Sequence, residues 1–122
     1  MESILIVDDD IQLSSLLREE LMEVGFDTQS VNSAEEALTY LKEHPVDLIL
    51  LDLNMPEKDG FYVLTQLRER NTPHRVIVLT GYADVQSAIT SAKLGARDFI
   101  TKPYDLDELL IAIRKVLNQS LD

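Results

Sequence analysis

The segments ILIVDDD, residues 4–10, and LILLD, residues 48–52, decide the fold of this chain. In each segment, four consecutive aliphatic residues precede the first aspartate. An unbroken aliphatic run of this length is typical of a β-strand that is covered on both faces, because neither side of the strand is left for water. Both segments therefore predict strands in the middle of a parallel sheet.

Three further strands and five amphipathic stretches complete the pattern. The strands are predicted at residues 28–31, 76–79 and 99–101. Between the strands, apolar residues recur at the spacing of a helix. In chain order these positions are Leu13, Leu16, Leu17, Leu21 and Val24; Ala37, Leu38 and Leu41; Val63, Leu64 and Leu67; Val85, Ala88, Ile89 and Ala92; and Leu106, Leu109, Leu110, Ile113 and Leu117.

Capping signals mark the ends of several of these stretches. Ser33 and Glu36 have the spacing of a capping box, and Asp84 is placed to cap the fourth helix. Gly25 and Gly95 are placed to end the first and fourth helices, since glycine adopts the left-handed backbone that follows many helices. The five stretches are therefore predicted as helices.

Strands that alternate with helices predict an α/β fold. Each connection is a right-handed helical crossover, so the five strands form a parallel sheet with helices on both faces. The doubly wound order 2-1-3-4-5 is expected, with the functional site beyond the carboxyl ends of the first and third strands. The sequence shows no linker, repeat or low-complexity segment, and residues 1–122 are predicted as a single domain.

The composition restricts the function. Twenty-two acidic residues against eleven basic ones give a net charge of −11, which repels nucleic-acid phosphate, so no direct nucleic-acid binding by this domain is expected. The chain has no cysteine, which excludes a disulfide framework and a cysteine nucleophile. No apolar stretch is long enough to span a membrane, and the first residues lack the basic region of a signal peptide. A cytoplasmic domain without membrane contact is expected.

Polar side chains follow four of the predicted strands at their carboxyl ends. Because the carboxyl ends of parallel strands meet at one edge of the sheet, we expect these side chains to lie close together. The set comprises Asp8, Asp9 and Asp10 after the first strand, Asp52 after the third, Thr80 after the fourth and Lys102 after the fifth.

Carboxylates, a hydroxyl and an amine in one place suit phosphoryl transfer. Clustered carboxylates bind a hard divalent cation or take up a proton, and Mg²⁺ suits a few carboxylates, a carbonyl and retained waters. A carboxylate can attack phosphorus and hold it as an acyl phosphate. Lys102 and Mg²⁺ would then stabilise the charge on the transferred group, and Thr80 can hydrogen-bond one of its oxygens.

Each strand-end residue also has a purely structural interpretation. Asp10 is better interpreted as a helix cap. The pair Asn32-Ser33 after the second strand is also explained by a helix cap, and no functional role is needed for it. Asp52 can begin a turn, Thr80 can end a strand, and Lys102 can be a solvated surface residue. Four independent strand ends that match one chemistry favour the functional interpretation.

The ordered motifs extend over essentially the whole chain. They are ILIVDDD at residues 4–10, LLDLNMP at residues 50–56 with Gly60, VLTG at residues 78–81, and Gly95-Ala96 leading to Lys102-Pro103. This set resembles the receiver domain of bacterial two-component response regulators, which implies a flavodoxin-like fold. Residues 87–96 and 105–109 are similar to receivers that control AAA+ transcription activators.

The resemblance implies roles for the acidic residues and their surroundings. Asp52 matches the aspartate that accepts phosphate from a sensor histidine kinase, as a phosphoacceptor that promotes its own phosphotransfer and slow dephosphorylation. Asp9 matches the direct Mg²⁺ ligand, Asp8 matches a ligand that acts through water, and Asn54 would contribute its backbone carbonyl. Asn54 and Tyr82 flank the site and are expected to tune the phosphate lifetime.

The resemblance also implies a conformational switch. Thr80 matches the switch hydroxyl, Phe99 the switch aromatic, and Lys102 the lysine that pairs with phosphate, its bond to Pro103 being usually cis in the family. Phosphate on Asp52 would draw Thr80 inward and let Phe99 become buried. The face formed by helix four, strand five and helix five would be remodelled.

A phosphatase of the haloacid dehalogenase type is the alternative from another class. Its nucleophile follows the first strand in an Asp-x-Asp-x-Thr/Val pattern, which would make Asp8 the nucleophile. Residues 8–12 match the two aspartates and miss the last position, and Asp52 would have no role. A flavodoxin-type flavin-binding module is rejected. Its phosphate-binding loop follows the first strand, where this chain has three aspartates that would repel phosphate.

Partners follow from the same resemblance. A sensor histidine kinase is expected, together with a C-terminal output domain of transcriptional function if the chain is an excised N-terminal domain and not a stand-alone receiver. Ile111 and the small residues of the fourth helix predict a homodimer contact.

Overall fold

The computed structural model describes residues 1–71, 73–81 and 83–121. Its helices alternate with strands, as the pattern predicts. In chain order the elements are β1 (Ser3–Val7), α1 (Ile11–Glu23), β2 (Asp27–Val31), α2 (Ala34–Glu43), β3 (Leu48–Leu51), α3 (Gly60–Glu69), β4 (Val76–Thr80), α4 (Val85–Lys93), β5 (Asp98–Thr101) and α5 (Leu106–Leu117).

The five strands form one parallel sheet in the order β2-β1-β3-β4-β5, which confirms the predicted topology. The observed strand ends differ from the predicted ones by no more than one residue. All four residues of β3 are buried, as expected of a central strand with helices on both faces. Among the described residues, no helix has the length and apolar character that a membrane span requires.

Two apolar cores lie on opposite faces of the sheet. Side chains alternate along a strand, so Leu5 and Val7 of β1 pack toward α2 and α3, whereas Ile4 and Ile6 pack toward α1 and α5. β3 and β4 divide their residues between the two cores in the same way. The cores hold the strands in register, so the strand ends stay fixed beside one another.

The predicted helix caps are confirmed. Ser33 accepts a hydrogen bond from the N–H of Glu36 at 3.1 Å, and Asp84 accepts one from the N–H of Ser87. Gly25 and Gly95 follow α1 and α4 with φ of 102° and 107°. Each cap satisfies backbone groups that the helix itself leaves without a partner.

The buried faces of two helices differ from the apolar pattern. In α4 the buried residues are Ser87 and Ser91, whereas Val85 is 76% exposed and Ile89 is 44% exposed. Ser91 can face the interior because its hydroxyl donates to the carbonyl of Ala88 in the preceding turn. Leu16 of α1 and Val24, which directly follows α1, are likewise exposed.

Candidate functional site

The carboxyl ends of the strands bring the predicted residues to one edge of the sheet. The N–H of Asp52 donates to the carbonyl of Val7 at 2.9 Å, so the residue after β3 stays beside the end of β1. The N–H of Lys102 donates to the carbonyl of Thr80 at 2.9 Å and links the ends of β5 and β4 in the same way. These backbone hydrogen bonds extend the strand pairing by one residue and hold the backbones of Asp52 and Lys102 in place at the edge of the sheet.

Three carboxylates face one another at this edge. Oxygen atoms of Asp8, Asp9 and Asp52 lie within 4.8 Å of one another. Asp8 is 4% exposed and Asp52 is 6% exposed, whereas Asp9 is open to solvent. In the part of the chain that the structure describes, the Asp9 carboxylate has no hydrogen bond or ion pair, so both of its oxygens can take a ligand from the cleft.

Lys102 reaches across the strand ends to two of these carboxylates. Its Nζ lies 2.6 Å from Oδ2 of Asp8 and 3.3 Å from Oδ2 of Asp52. Burial acts to lower the pKa of Lys102, but its contacts with Asp8 and Asp52 outweigh this effect and raise the pKa above its usual value. The side chain therefore remains an ammonium ion at neutral pH.

The pKa of Asp8 is raised, chiefly because its carboxyl group is buried. Burial raises the pKa of Asp8, and this effect outweighs the lowering by Lys102 and by the N–H of Asp10, while Asp52 raises the pKa further. One ammonium ion cannot neutralise three neighbouring carboxylates. The site is therefore electrostatically suited to a further cation.

The second oxygen of Asp52 is held by hydrogen-bond donors. Oδ1 accepts from the Thr80 hydroxyl at 2.7 Å and from the N–H of Asn54 at 3.1 Å. Thr80 is fully buried. Its hydroxyl therefore already lies in direct contact with the Asp52 carboxylate.

A cleft of about 380 Å³ opens onto the three carboxylates. Asn54, Gly81 and Lys102 also line it, and a Cβ added at Gly81 would meet no atom within 4 Å. Oxygen donors without nitrogen or sulfur suit a hard cation such as Mg²⁺, and three carboxylates with room for waters fit its preference. The donor set that the structure assembles is compatible with the predicted ion.

Gly60 is held against the backbone that carries Asp52. A Cβ at this position would lie 2.5 Å from the carbonyl oxygen of Asp52 and 2.8 Å from Cα of Leu53. The N–H of Gly60 also donates to the carbonyl of Leu53 at 3.1 Å. The first residue of α3 therefore packs directly against the backbone of Asp52 and Leu53, where only glycine fits without displacing these atoms.

Asn32 contributes a contact that sequence reasoning missed. The helix cap predicted for the Asn32-Ser33 pair is made by Ser33, whereas Nδ2 of Asn32 donates to the carbonyl of Asp8 at 2.9 Å. The sequence did contain a signal for this contact: Asn32 carries a side-chain amide directly after the second strand, and the predicted strand order places the second strand beside the first. Asp10, as expected, caps α1 by accepting from the N–H of Leu13 at 3.0 Å.

The remaining predicted positions lie on or near β5. Phe99 is partly buried and packs against the core on the α2 and α3 side of the sheet. The bond between Lys102 and Pro103 is cis, as the resemblance implies. Tyr82 lies outside the described residues.

Comparisons with known proteins agree with one another. A family model described as the response regulator receiver domain matches residues 4–114. Regulatory protein AtoC of Escherichia coli (strain K12) is 37% identical over 114 residues, which are 93% of this chain and 25% of AtoC. Transcriptional regulatory protein ZraR of the same organism is 36% identical over 114 residues, with 93% and 26% covered. The chain spans about a quarter of the length of these curated relatives.

Two solved structures are similar over almost their whole length. The receiver domain of the Francisella response regulator 1452 has a TM-score of 0.90 and 31% identity, covering 96% of this chain and 97% of that one. Response regulator TrrA from Thermotoga maritima, in complex with Mg²⁺-BeF, has a TM-score of 0.86 and 33% identity, covering 95% and 99%.

Proposed function

Because this chain belongs to the family of response regulator receiver domains, we propose that it is a phosphate-accepting switch in which Asp52 takes a phosphoryl group from a sensor histidine kinase. A receiver domain is a signalling domain and not a classical enzyme. The observation that carries the proposal is the position of the Asp52 carboxylate. One oxygen faces Lys102 at 3.3 Å, the other accepts from Thr80, and two further carboxylates lie beside it.

Asp8, Asp9 and Asp52, with the backbone carbonyl of Asn54, would hold Mg²⁺. The bound ion supplies positive charge for the oxygens of the transferred phosphoryl group. TrrA, which has the same fold, is described in complex with Mg²⁺-BeF, and this supports the choice of ion. Lys102 already bridges two of the carboxylates and provides a second positive charge at the same place.

The transfer itself requires one nucleophile and two supporting side chains. An oxygen of Asp52 forms a bond to phosphorus while the bond to the kinase histidine breaks, which leaves an acyl phosphate on Asp52. Lys102 pairs with a phosphoryl oxygen, and the Thr80 hydroxyl donates to another. Attack by water on the same phosphorus breaks the bond to the Asp52 oxygen, releases inorganic phosphate and returns the carboxylate, so the chain would promote both its phosphorylation and a slow dephosphorylation.

Partner proposals rest on exposed surfaces and on the relatives. An apolar groove of about 550 Å³, lined by Leu13, Leu16 and Tyr104 among others, adjoins Lys102 and offers a docking surface beside the acceptor for the kinase. AtoC and ZraR are named as regulatory proteins and are about four times longer than this chain, so we infer a transcriptional output domain.

Residues 1–122 would then form the cytoplasmic receiver unit. Ile111, which is 69% exposed, belongs to the face proposed for a homodimer.

Mapping of the phosphorylated site tests the proposal against the phosphatase alternative. After treatment with acetyl phosphate and Mg²⁺, the modified peptide should contain Asp52. A label at Asp8 would contradict the proposal, since Asp8 is the nucleophile that a haloacid dehalogenase-type enzyme would use. The family match over residues 4–114 favours Asp52.

Phe99→Ala should separate phosphate binding from its consequences. Phe99 lies in β5, packs against the core and does not belong to the carboxylate cluster, so the variant should still bind beryllofluoride with Mg²⁺. The resulting chemical-shift changes in α4, and any change in sedimentation, should be much smaller than in the wild type. Phe61→Ala is the matched control, because Phe61 is a partly buried phenylalanine against the same core. A wild-type response in Phe99→Ala would exclude the switch role.

A further inference from the structure

The Asn32 side chain continues the sheet where the backbone ladder stops. β1 and β2 are paired as far as Val7 and Val31, and β2 then turns away toward the start of α2. Beyond that point the N–H of Asp8 donates to the carbonyl of Val31 at 3.1 Å, and the carbonyl of Asp8 accepts from Nδ2 of Asn32 at 2.9 Å. Both backbone groups of Asp8 are therefore bound to the end of β2.

The orientation of the Asn32 carboxamide is determined by its partners. A carbonyl oxygen can only accept a hydrogen bond, so the amino group of the carboxamide must face Asp8. The same Nδ2 lies 3.4 Å from Oγ of Ser14, which is 1% exposed on α1. Asn32 thus connects the end of β2, the acidic loop and the first turns of α1.

This contact restrains two of the three carboxylates. The carbonyl of Asp8 belongs to the planar peptide group that joins Asp8 to Asp9, so the hydrogen bond also orients the backbone from which the Asp9 side chain projects. Within the described part of the chain, the Asp9 carboxylate has no partner of its own. The direction of its Cα–Cβ bond is determined by the backbone, and Asn32 holds that backbone at the Asp8–Asp9 peptide.

We propose that Asn32 is a positioning residue of the Mg²⁺ site, which acts by fixing the Asp8–Asp9 peptide so that the Asp9 carboxylate faces Asp8 and Asp52. The inference rests on the proposed function, because it assumes that these carboxylates bind the ion. Asn32 does not touch the ion. Groups that orient metal ligands typically change metal affinity by 10–100-fold when they are removed.

The experiment is a titration of the full chain with MgCl₂, followed by the backbone amide signals of Asp10 and Asn54. Both N–H groups donate to carboxylates of the cluster and report on the ion directly. Asn32→Leu keeps the size of the side chain, removes the donor and leaves the net charge unchanged, so Mg²⁺ affinity should fall by about tenfold. Asn32→Ala, which adds no apolar bulk, is measured in parallel so that the result does not depend on one variant folding.

Two further variants separate positioning from general destabilisation. Ser33→Ala removes the neighbouring helix cap and should lower thermal stability while leaving Mg²⁺ affinity at the wild-type value. Asn32→Gln retains a carboxamide donor and should bind Mg²⁺ more tightly than Asn32→Leu. Wild-type affinity in Asn32→Leu and Asn32→Ala would overturn the inference, and so would an equal loss in Ser33→Ala or in Asn32→Gln.

Asp9→Asn distinguishes the inference from the proposed function. If the carboxylates bind Mg²⁺, this variant should lose much of the affinity of the wild type. If Asp9→Asn bound Mg²⁺ as the wild type does, the metal site itself would be wrong, and the role of Asn32 would fall with it. A loss in Asp9→Asn without any loss in the Asn32 variants would refute only the positioning role.

Discussion

Asp52→Asn should take up no acyl phosphate above background under conditions in which the wild type is fully labelled. A carboxamide is a very poor nucleophile toward phosphorus, and it also removes one of the three negative charges that would hold Mg²⁺. Asparagine has the same shape and can still accept from Thr80 and from the N–H of Asn54. The fold should therefore survive, and the free energy of unfolding without Mg²⁺ should change little, because relief of the repulsion from Asp8 offsets the loss of the ion pair with Lys102.

Asp10→Asn is the matched control for this prediction. It is the same chemical change two residues from Asp8, at a position that the structure assigns to the N-cap of α1. Asparagine caps helices about as well as aspartate does, so stability should be retained. Asp10→Asn should be phosphorylated at close to the wild-type level, measured by phosphate-affinity electrophoresis or intact mass. Wild-type labelling of Asp52→Asn would exclude Asp52 as the acceptor.

Gly60→Ala should cause the largest loss of stability among conservative single substitutions near the site. The added methyl group would lie 2.5 Å from the carbonyl oxygen of Asp52 and 2.8 Å from Cα of Leu53, and both are backbone atoms that cannot rotate away. Either α3 or the segment after β3 must move. We expect the free energy of unfolding to fall by about 3 kcal/mol, at the upper end of the usual range for overpacking. Displacement of the Asp52 backbone should also slow phosphorylation.

Gly81→Ala provides the comparison, because it introduces the same methyl group at the edge of the same site. A Cβ there meets nothing within 4 Å, so the free energy of unfolding should change by less than about 0.5 kcal/mol. Urea denaturation of both variants, followed by circular dichroism, measures the difference. Equal stabilities of Gly60→Ala and Gly81→Ala would show that the backbone around Asp52 adjusts freely and does not depend on glycine at the start of α3.

The sequence by itself determined the strands, their order and the residues at their ends. Aliphatic runs such as residues 4–7 and 48–51 can only be buried between two layers of helices, and helical connections make the sheet parallel. In a parallel sheet every carboxyl end lies at one edge, so residues that are far apart in sequence, such as Asp8 and Lys102, were predicted to meet there. These conclusions need only the local periodicity of the sequence and the general rules for connections and strand order in parallel sheets.

Only the tertiary structure decided which atoms meet and which helix faces are buried. Lys102 lies closer to Asp8 than to Asp52, and Thr80 donates to the oxygen of Asp52 that Lys102 does not face. Ser87 and Ser91, not the aliphatic residues of α4, face the interior.

Asn32 reaches Asp8 across 24 residues of sequence, and Gly60 lies against the backbone of Asp52. Such contacts depend on distances of a few ångströms between segments that the sequence pattern treats separately. A pattern of residue types indicates which edge of the sheet a side chain reaches, whereas its hydrogen-bond partner and the space around it are determined by how the packed elements are placed. For Asp52, the sequence therefore predicted an acidic site, and the packing of β1, β2, α3 and β5 around it determined the geometry on which the proposed phosphoryl transfer depends.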